Sequence, residues 1–132
     1  MIIKEKIGDV HIELDTSRIE KNLDNAQDKL DLQVLADSNL YTPFLQGGLR
    51  GSGHIVEPGL IEWNTPYAHY QYMGELYLTS DGRSWAHKDE QKYPTGIDLQ
   101  YHTPNTGAFW FEEAKDNHLQ NWMNIVRREV DK

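Results

Sequence analysis

Cysteine is absent from the sequence, and long apolar runs are absent too. Without cysteine the chain forms no disulfide bond, no thiolate metal site and no cysteine nucleophile, and this composition suits assembly in a reducing cytoplasm. No apolar run approaches the roughly 18 residues of a membrane-spanning helix, so no membrane partner is expected. Residues 1–10, MIIKEKIGDV, lack the apolar segment of a signal peptide, so secretion is not expected either.

Basic residues are in the minority: 13 Lys and Arg stand against 21 Asp and Glu, which gives a formal net charge of -8. They are scattered, apart from the pair Arg127 and Arg128. Because nucleic-acid binding draws on counterion release by clustered cations, sequence-specific binding of DNA or RNA is not expected. An acidic surface would instead repel DNA, which suits a place where DNA slides past without sticking.

The chain has 132 residues, of which 38% are hydrophobic. This is enough for one domain, residues 1–132, with a single core. The apolar patterns predict an α+β fold, with two main helices packed on a small, mostly antiparallel β-sheet. A turn-rich segment at about residues 75–106 shows no long element, and we expect a long loop or arm that orders against a partner.

The first helix is predicted from about Arg18 to Ser38 and should end before Pro43. Ser17 and Glu20 have the spacing of a capping box at its start. One apolar stripe recurs at steps of three or four and consists of Ile19, Leu23, Ala26, Leu30 and Val34.

The last helix is predicted from about Ala108 to Val130. Two apolar rows run along it, and Trp122 belongs to both, so Trp122 is expected at the centre of the core. The candidate core residues of the whole chain are Leu23, Leu30, Trp63, Phe111 and Trp122.

Two hairpins are predicted from apolar–polar alternation and turn residues. Val10–Leu14 alternates as a half-buried strand does, and it can pair with Ile2–Ile7 through Gly8-Asp9. Ser52–Val56 and Leu60–Trp63 are joined by a Pro-Gly turn.

Aromatic residues are concentrated after the second hairpin. Pro66 fits the first turn of a short helix, and the tyrosines that follow cannot all lie on one of its faces. Some should therefore remain exposed as interface anchors, the alternative being simple packing. The candidate interface residues are Tyr67, Tyr70, Tyr72, Trp85 and Tyr93.

No catalytic, cofactor-binding or metal-binding residue is predicted. The six histidines are scattered and none has the His-Glu-x-x-His spacing of a zinc site. Glycines cluster between Gly47 and Gly53, but no Gly-Lys-Ser/Thr follows, so a turn is expected rather than a phosphate-binding loop.

Three segments of the chain carry, in order, short motifs that are similar to those of one known family. Residues 41–50, YTPFLQGGLR, followed by Ser52, are similar to a Pro-x-x-Thr-Gly-x-Leu-x-x-Ser motif but lack its threonine. Residues 61–70, IEWNTPYAHY, followed by Met73-Gly74, resemble a Pro-Tyr-Ala-x-Tyr segment that closes on glycine. Residues 109–115, FWFEEAK, resemble a Trp-Phe-Glu-x-Ala-Lys helix that continues to Trp122.

Together the three motifs resemble those of bacteriophage minor capsid and tail-completion proteins. The resemblance covers about residues 15–130 and implies a structural virion protein of a long-tailed phage or prophage, with no catalytic activity. It implies a tail-completion or minor capsid subunit in an oligomeric ring at the head–tail connector, or neck. Its partners would be copies of itself and other neck, connector or tail proteins, joined in the host cytoplasm, with DNA passing through the ring lumen.

Two alternatives to the virion protein remain open from the residues alone. The first is a carbohydrate- or host-surface-binding module, which would expose Trp85, Tyr93 and Tyr101 in a cleft. The second is a small hydrolase that uses paired carboxylates.

Overall fold

The computed structural model describes residues 1–44 and 48–132. Its elements are, in chain order, β1 (Ile2–Ile7), β2 (Val10–Asp15), α1 (Ser17–Asn39), α2 (Gly48–Gly51), β3 (His54–Glu57), β4 (Leu60–Glu62), α3 (Ala68–Met73), β5 (Glu75–Leu78), β6 (Tyr93–Asp98) and α4 (Trp110–Val130). The predicted α+β class is confirmed. The strands form three separate antiparallel pairs rather than one small sheet, because each strand bonds only to its neighbour along the chain.

Helices α1 and α4 pack against each other in antiparallel directions. The Arg18 guanidinium at the start of α1 donates to the carbonyl of Lys132, beyond the end of α4, at 3.2 Å from Nε. At the other end of α1, Asp37 accepts a hydrogen bond from Trp122. Both helices begin and end within two residues of the positions that their apolar periodicity predicts.

The N-cap of α1 is Thr16, so the predicted capping box on Ser17 is wrong. The Thr16 amide donates to the carbonyl of Met1 at 2.9 Å, which fixes the point where β2 turns into the helix. The Thr16 hydroxyl donates to Glu20 at 3.1 Å, and Asp15 accepts from the Ser17 amide at 2.9 Å. These contacts join the first turn of α1 to the start of the chain, and the Thr16 side chain caps no helix amide.

A chain of buried and half-buried polar side chains joins α1 to α4. Trp122, only 5% exposed, donates from Nε1 to one oxygen of Asp37 at 2.7 Å, and Gln33 donates to the other at 3.0 Å. His118 Nδ1 lies 3.7 Å from the same carboxylate, and its Nε2 is 3.0 Å from the Tyr41 hydroxyl. Because a buried carboxylate needs hydrogen-bond partners, these contacts specify how the two helices align.

Glu129, buried near the end of α4, forms a second polar tie between the helices. Its Oε1 accepts from Lys132 Nζ at 2.9 Å and from Lys29 Nζ, on α1, at 2.6 Å. The hydrogen bonds from Lys132 and then Lys29 hold the pKa of Glu129 below its ordinary value. The ionised carboxylate is thus the form that the folded chain favours.

The ion pairs of Glu129 with Lys132 and Lys29 make the free energy of unfolding depend on pH in the acid range. Their contribution is complete above the ordinary carboxyl pKa and is lost as the pH falls through the lowered folded-state pKa. We expect Glu129→Gln to have a lower free energy of unfolding than the parent chain at neutral pH. This difference in unfolding free energy should become smaller towards roughly pH 3. Urea unfolding at both pH values measures it. Asp116→Asn, exposed on the same helix, is the control. If the loss of unfolding free energy in Glu129→Gln were the same at both pH values, the ionised Glu129 carboxylate would not be its cause.

The core centres on Trp110, the first residue of α4. Trp110 is 1% exposed and packs with the buried Leu49 and Ala68. The rings of Trp63 and Tyr72 meet it edge-on, with centroids 5.7 Å and 4.6 Å away. Side chains from α2, α3, α4 and the end of the β3–β4 hairpin therefore enclose one indole ring, which the sequence patterns did not single out.

The segment that we expected to be a long loop contains the β5–β6 hairpin. Its register pairs Glu75 with Asp98 and Leu78 with Tyr93. Gly74, at φ 76°, ends α3 in the left-handed region, where glycine is favoured. A Cβ at Gly74 would lie 2.8 Å from the Cβ of Ala108, so close packing also requires glycine there. The segment is thus tied to the rest of the fold at its base.

Arg83 organises the connection between β5 and β6. Its guanidinium binds Asp81 at 2.9 Å and Glu90 at 2.5 Å, and it lies 4.3 Å from the ring centroid of Trp85. The hydrogen bond from Arg83 is the main reason why the pKa of Asp81 is lowered to about 2. These contacts lie within the connection itself, and whether a partner also binds it stays a prediction.

Arg83→Ala should loosen this connection without unfolding the chain. Ion pairs near the protein surface contribute little to global stability, so we expect the free energy of unfolding to change little. Hydrogen exchange of the amides in residues 79–90 should nevertheless become faster. Lys88→Ala, in the same connection but outside the ion pairs, is the control. Unchanged exchange in Arg83→Ala would show that other contacts hold the connection.

Candidate assembly surface

An open, mostly apolar groove of about 770 Å³ runs between α1, the β3–β4 hairpin and α4. We call it the apolar groove. Its apolar lining residues are Leu30, Val34, Leu60, Ile61, Trp63, Phe111, Leu119, Trp122, Met123 and Val126. The groove contains apolar residues of both long helices that lie outside the contact between α1 and α4.

The walls of the apolar groove remain open to solvent in the single chain. Leu119 and Met123 on α4 are 43% and 41% exposed, and Leu60 on β4 is 46% exposed. Phe111 stacks nearly parallel on Trp122, with ring centroids 6.1 Å apart, and is itself partly exposed. Large contiguous apolar surfaces on a folded chain usually mark a site of interaction.

The charged residues that line the apolar groove differ in whether they have partners within the chain. Asp31 is buried and accepts hydrogen bonds from Gln27 at 2.6 Å and from the Gly59 amide at 3.0 Å. Lys115 and Arg127 also line the groove, and within the described residues neither forms an ion pair with a carboxylate. The groove therefore offers a ligand an apolar floor and two available cations.

Strands β1 and β2 form a second exposed surface, the N-terminal hairpin. Every residue of both strands is exposed, on both faces of the pair. Directly opposed residues point to the same face of a strand pair. The register therefore places Ile3, Ile7, Val10, Ile12 and Leu14 on one face together with a single charged residue, Glu5.

The opposite face of the N-terminal hairpin is almost entirely polar. It carries Lys4, Lys6, His11 and Glu13, with Ile2 and Asp15 at the base. The sequence alternation correctly predicted this strand pair. It also suggested that Val10–Leu14 is half-buried, and that was wrong, because no element of the described chain covers the apolar face.

The candidate core residues occupy different environments. Trp122 is buried, Leu30 and Trp63 are half-buried, and Trp63 donates from Nε1 to Asn39 at 3.0 Å. Leu23 is 50% exposed and Phe111 is partly exposed, contrary to the expectation of burial, because none of the described residues covers that side of α1 or the wall of the apolar groove.

The candidate interface residues do not form one patch. Trp85, Tyr93 and Tyr67 are exposed, at 58%, 49% and 44%. Tyr70 is half-buried, with Tyr77 4.8 Å away and Lys92 4.4 Å above its ring. Tyr72 is half-buried too. It packs on Trp110 and donates a hydrogen bond to Glu112, so Tyr70 and Tyr72 make contacts within the chain.

A second cleft of about 400 Å³ is lined by Tyr67, Tyr101 and residues of the segments around them. Neither Trp85 nor Tyr93 belongs to it. The aromatic residues that a sugar-binding module would need in one cleft are therefore distributed over different parts of the surface.

The described residues contain no group of three or more His, Asp or Glu side chains that could hold a metal ion. No helix within residues 1–44 and 48–132 is both long and apolar enough to cross a membrane. Residues 45–47, which belong to the motif at residues 41–52, lie outside the described part of the chain.

Comparison with known protein families gives a match that covers nearly the whole fold. Residues 9–130 match the model of the minor capsid protein family. No curated protein and no solved structure matches the chain. The matched region includes β2, both long helices, the apolar groove and the β5–β6 hairpin. The chain therefore belongs to the phage minor capsid protein family and is a structural component of the virion.

Proposed function

We propose that this chain is a head–tail joining protein, a tail-completion subunit that forms a ring with copies of itself between the capsid and the tail. The family assignment supports a role in the particle. The resemblance of three ordered sequence motifs to those of tail-completion proteins favours the neck. The observation that carries the proposal is the exposure, on one folded chain, of the apolar groove and the N-terminal hairpin.

Covering these surfaces would release considerable free energy. Burying one Val, Leu, Ile, Phe or Met side chain contributes about 1.5–3 kcal/mol, and each of the two surfaces exposes several such side chains. The two surfaces differ in shape and lie on different elements. Contacts between unlike surfaces of identical subunits generate rings when the rotation closes, which is the arrangement expected at a neck.

The net charge of -8 fits such a ring. DNA passes the neck during packaging and ejection, and a wall rich in carboxylates does not bind its phosphates. We expect acidic residues on the lumen of the ring. Glu112, Glu113 and Asp116 are exposed on one stretch of α4, and Asp24 and Asp28 are exposed on α1.

Deleting the gene from the phage or prophage that encodes the chain tests this function. We expect DNA-filled heads and finished tails that do not join, visible by electron microscopy, together with a loss of infectious particles. Complementation with the parent gene should restore joining. Joined, infectious particles without the chain, or a failure to build heads at all, would contradict a joining role.

A further inference from the structure

We infer that the apolar groove of one subunit binds the N-terminal hairpin of a second copy of the same chain. This rests on the proposed self-assembly and names the contact that makes it. The hairpin supplies one apolar face with a single carboxylate, and the groove supplies an apolar floor with two cations.

The dimensions of the two surfaces agree. Six-residue strands at about 3.3 Å per residue make a hairpin roughly 20 Å long. The groove follows α4 from Phe111 to Arg127, which at about 1.5 Å per residue is roughly 24 Å. A two-stranded ribbon can therefore lie along α4 with its whole apolar face inside the groove.

Burial of its apolar face would stabilise the N-terminal hairpin. An isolated two-stranded hairpin is only marginally stable in water, and every residue of these two strands is exposed within the described part of the chain. Its five apolar side chains on one face would each exchange water for the groove lining. The polar face would remain in solvent, with Lys4, Lys6 and Glu13 outward.

Charge complementarity points to the same pairing. Glu5 lies in the middle of the apolar face, opposite Ile12, where a buried carboxylate would be costly without a partner. Lys115 and Arg127 line the groove and have no carboxylate partner within the described residues. An ion pair between Glu5 and either cation would satisfy both sides and fix the register of the hairpin.

A second copy is a better occupant than the hairpin of the same chain. The base of the hairpin is held at the start of α1, where the Thr16 amide donates to the Met1 carbonyl at 2.9 Å and the Met1 ammonium pairs with Glu20 at 3.1 Å. The groove begins on α1 at Gln27, roughly 15 Å further along the helix axis. Folding back would require the chain to reverse at Thr16 and break these bonds.

Site-specific photo-crosslinking in assembled particles tests the inference directly. A photoreactive phenylalanine analogue replaces Ile12 on the apolar face or, as the matched control, His11 on the polar face. Particles are grown from a mixture of isotopically light and heavy subunits, and the linked peptides are identified by mass spectrometry. We expect position 12 to link to α4 or to the β3–β4 hairpin in mixed light–heavy pairs, and position 11 to give few such links.

Links from position 12 to the groove of the same chain, or only to another virion protein, would overturn the inference. So would an absence of links to the groove lining. Each of these outcomes leaves the joining role intact. If the chain is absent from the neck altogether, the proposed function itself fails, and the two failures are thereby distinguished.

Charge reversal gives an independent test of the register. Glu5→Lys, and separately Lys115→Glu with Arg127→Glu, should each lower the yield of joined particles by about tenfold or more, and the combination should recover most of it. Lys4→Glu, a charge reversal on the polar face, is the control and should have little effect. Additive losses in the combined variant would contradict the pairing of Glu5 with these cations.

Discussion

Replacing Trp110 with alanine is expected to lower the free energy of unfolding by about 3–5 kcal/mol, the range for removing a large aromatic side chain from a core. Trp110 is 1% exposed and joins elements that are far apart in sequence, since Leu49, Ala68, Trp63 and Tyr72 all pack against it. Without the indole ring these side chains would border a cavity.

Urea unfolding followed by far-ultraviolet circular dichroism measures this loss. Phe111→Ala is the matched control, because Phe111 is the next residue of the same helix but is partly exposed on the wall of the apolar groove. Its loss should be clearly smaller. Equal losses in the two variants would mean that Trp110 is not the centre of the core.

Trp122→Ala should also cost about 3–5 kcal/mol, for a different reason. This residue fills the contact between α1 and α4, and it donates the buried hydrogen bond to Asp37 at 2.7 Å. Trp122→Phe keeps most of the ring but removes the donor. Because one partner of a buried carboxylate is then missing, we expect it to cost about 1–3 kcal/mol.

The comparison of these two variants separates packing from hydrogen bonding at Trp122. A double-mutant cycle of Trp122→Phe with Asp37→Asn should show a coupling of about 0.5–3 kcal/mol, as residues in one buried network do. Trp85→Phe, at an exposed position, is the control and should leave stability nearly unchanged. Strictly additive effects in the cycle would contradict the Trp122–Asp37 hydrogen bond.

The two long helices could be predicted from the sequence because their apolar stripes are regular and extend over many turns. Trp122 was identifiable for that reason, since two rows of α4 meet there. Trp110 was not. It follows Phe109, which adopts φ 55°, and its neighbours come from segments that are distant in the sequence, so no periodic pattern marks it. Apolar periodicity reports a helical face, whereas a core assembled from short elements is set by tertiary contacts.

The apolar groove and the N-terminal hairpin illustrate a different limit. Alternation around Ile12 and the apolar row of the last helix that includes Leu119 and Trp122 were visible in the sequence, and both suggested burial. Ile12 and Leu119 remain exposed in the folded single chain. A pattern of this kind indicates that a face will be covered, but it does not say whether the cover comes from the same chain or from another. The exposed faces thus carry the evidence for assembly.

The position and environment of this chain in the assembled particle test the central claim most directly. An electron cryo-microscopy map of the tail-proximal end should contain a ring of copies of the chain between head and tail, with a two-stranded ribbon from the neighbouring copy lying along α4 in each apolar groove. A chain located elsewhere in the virion would contradict the joining role, and an uncovered groove in every copy would contradict the contact proposed to build the ring.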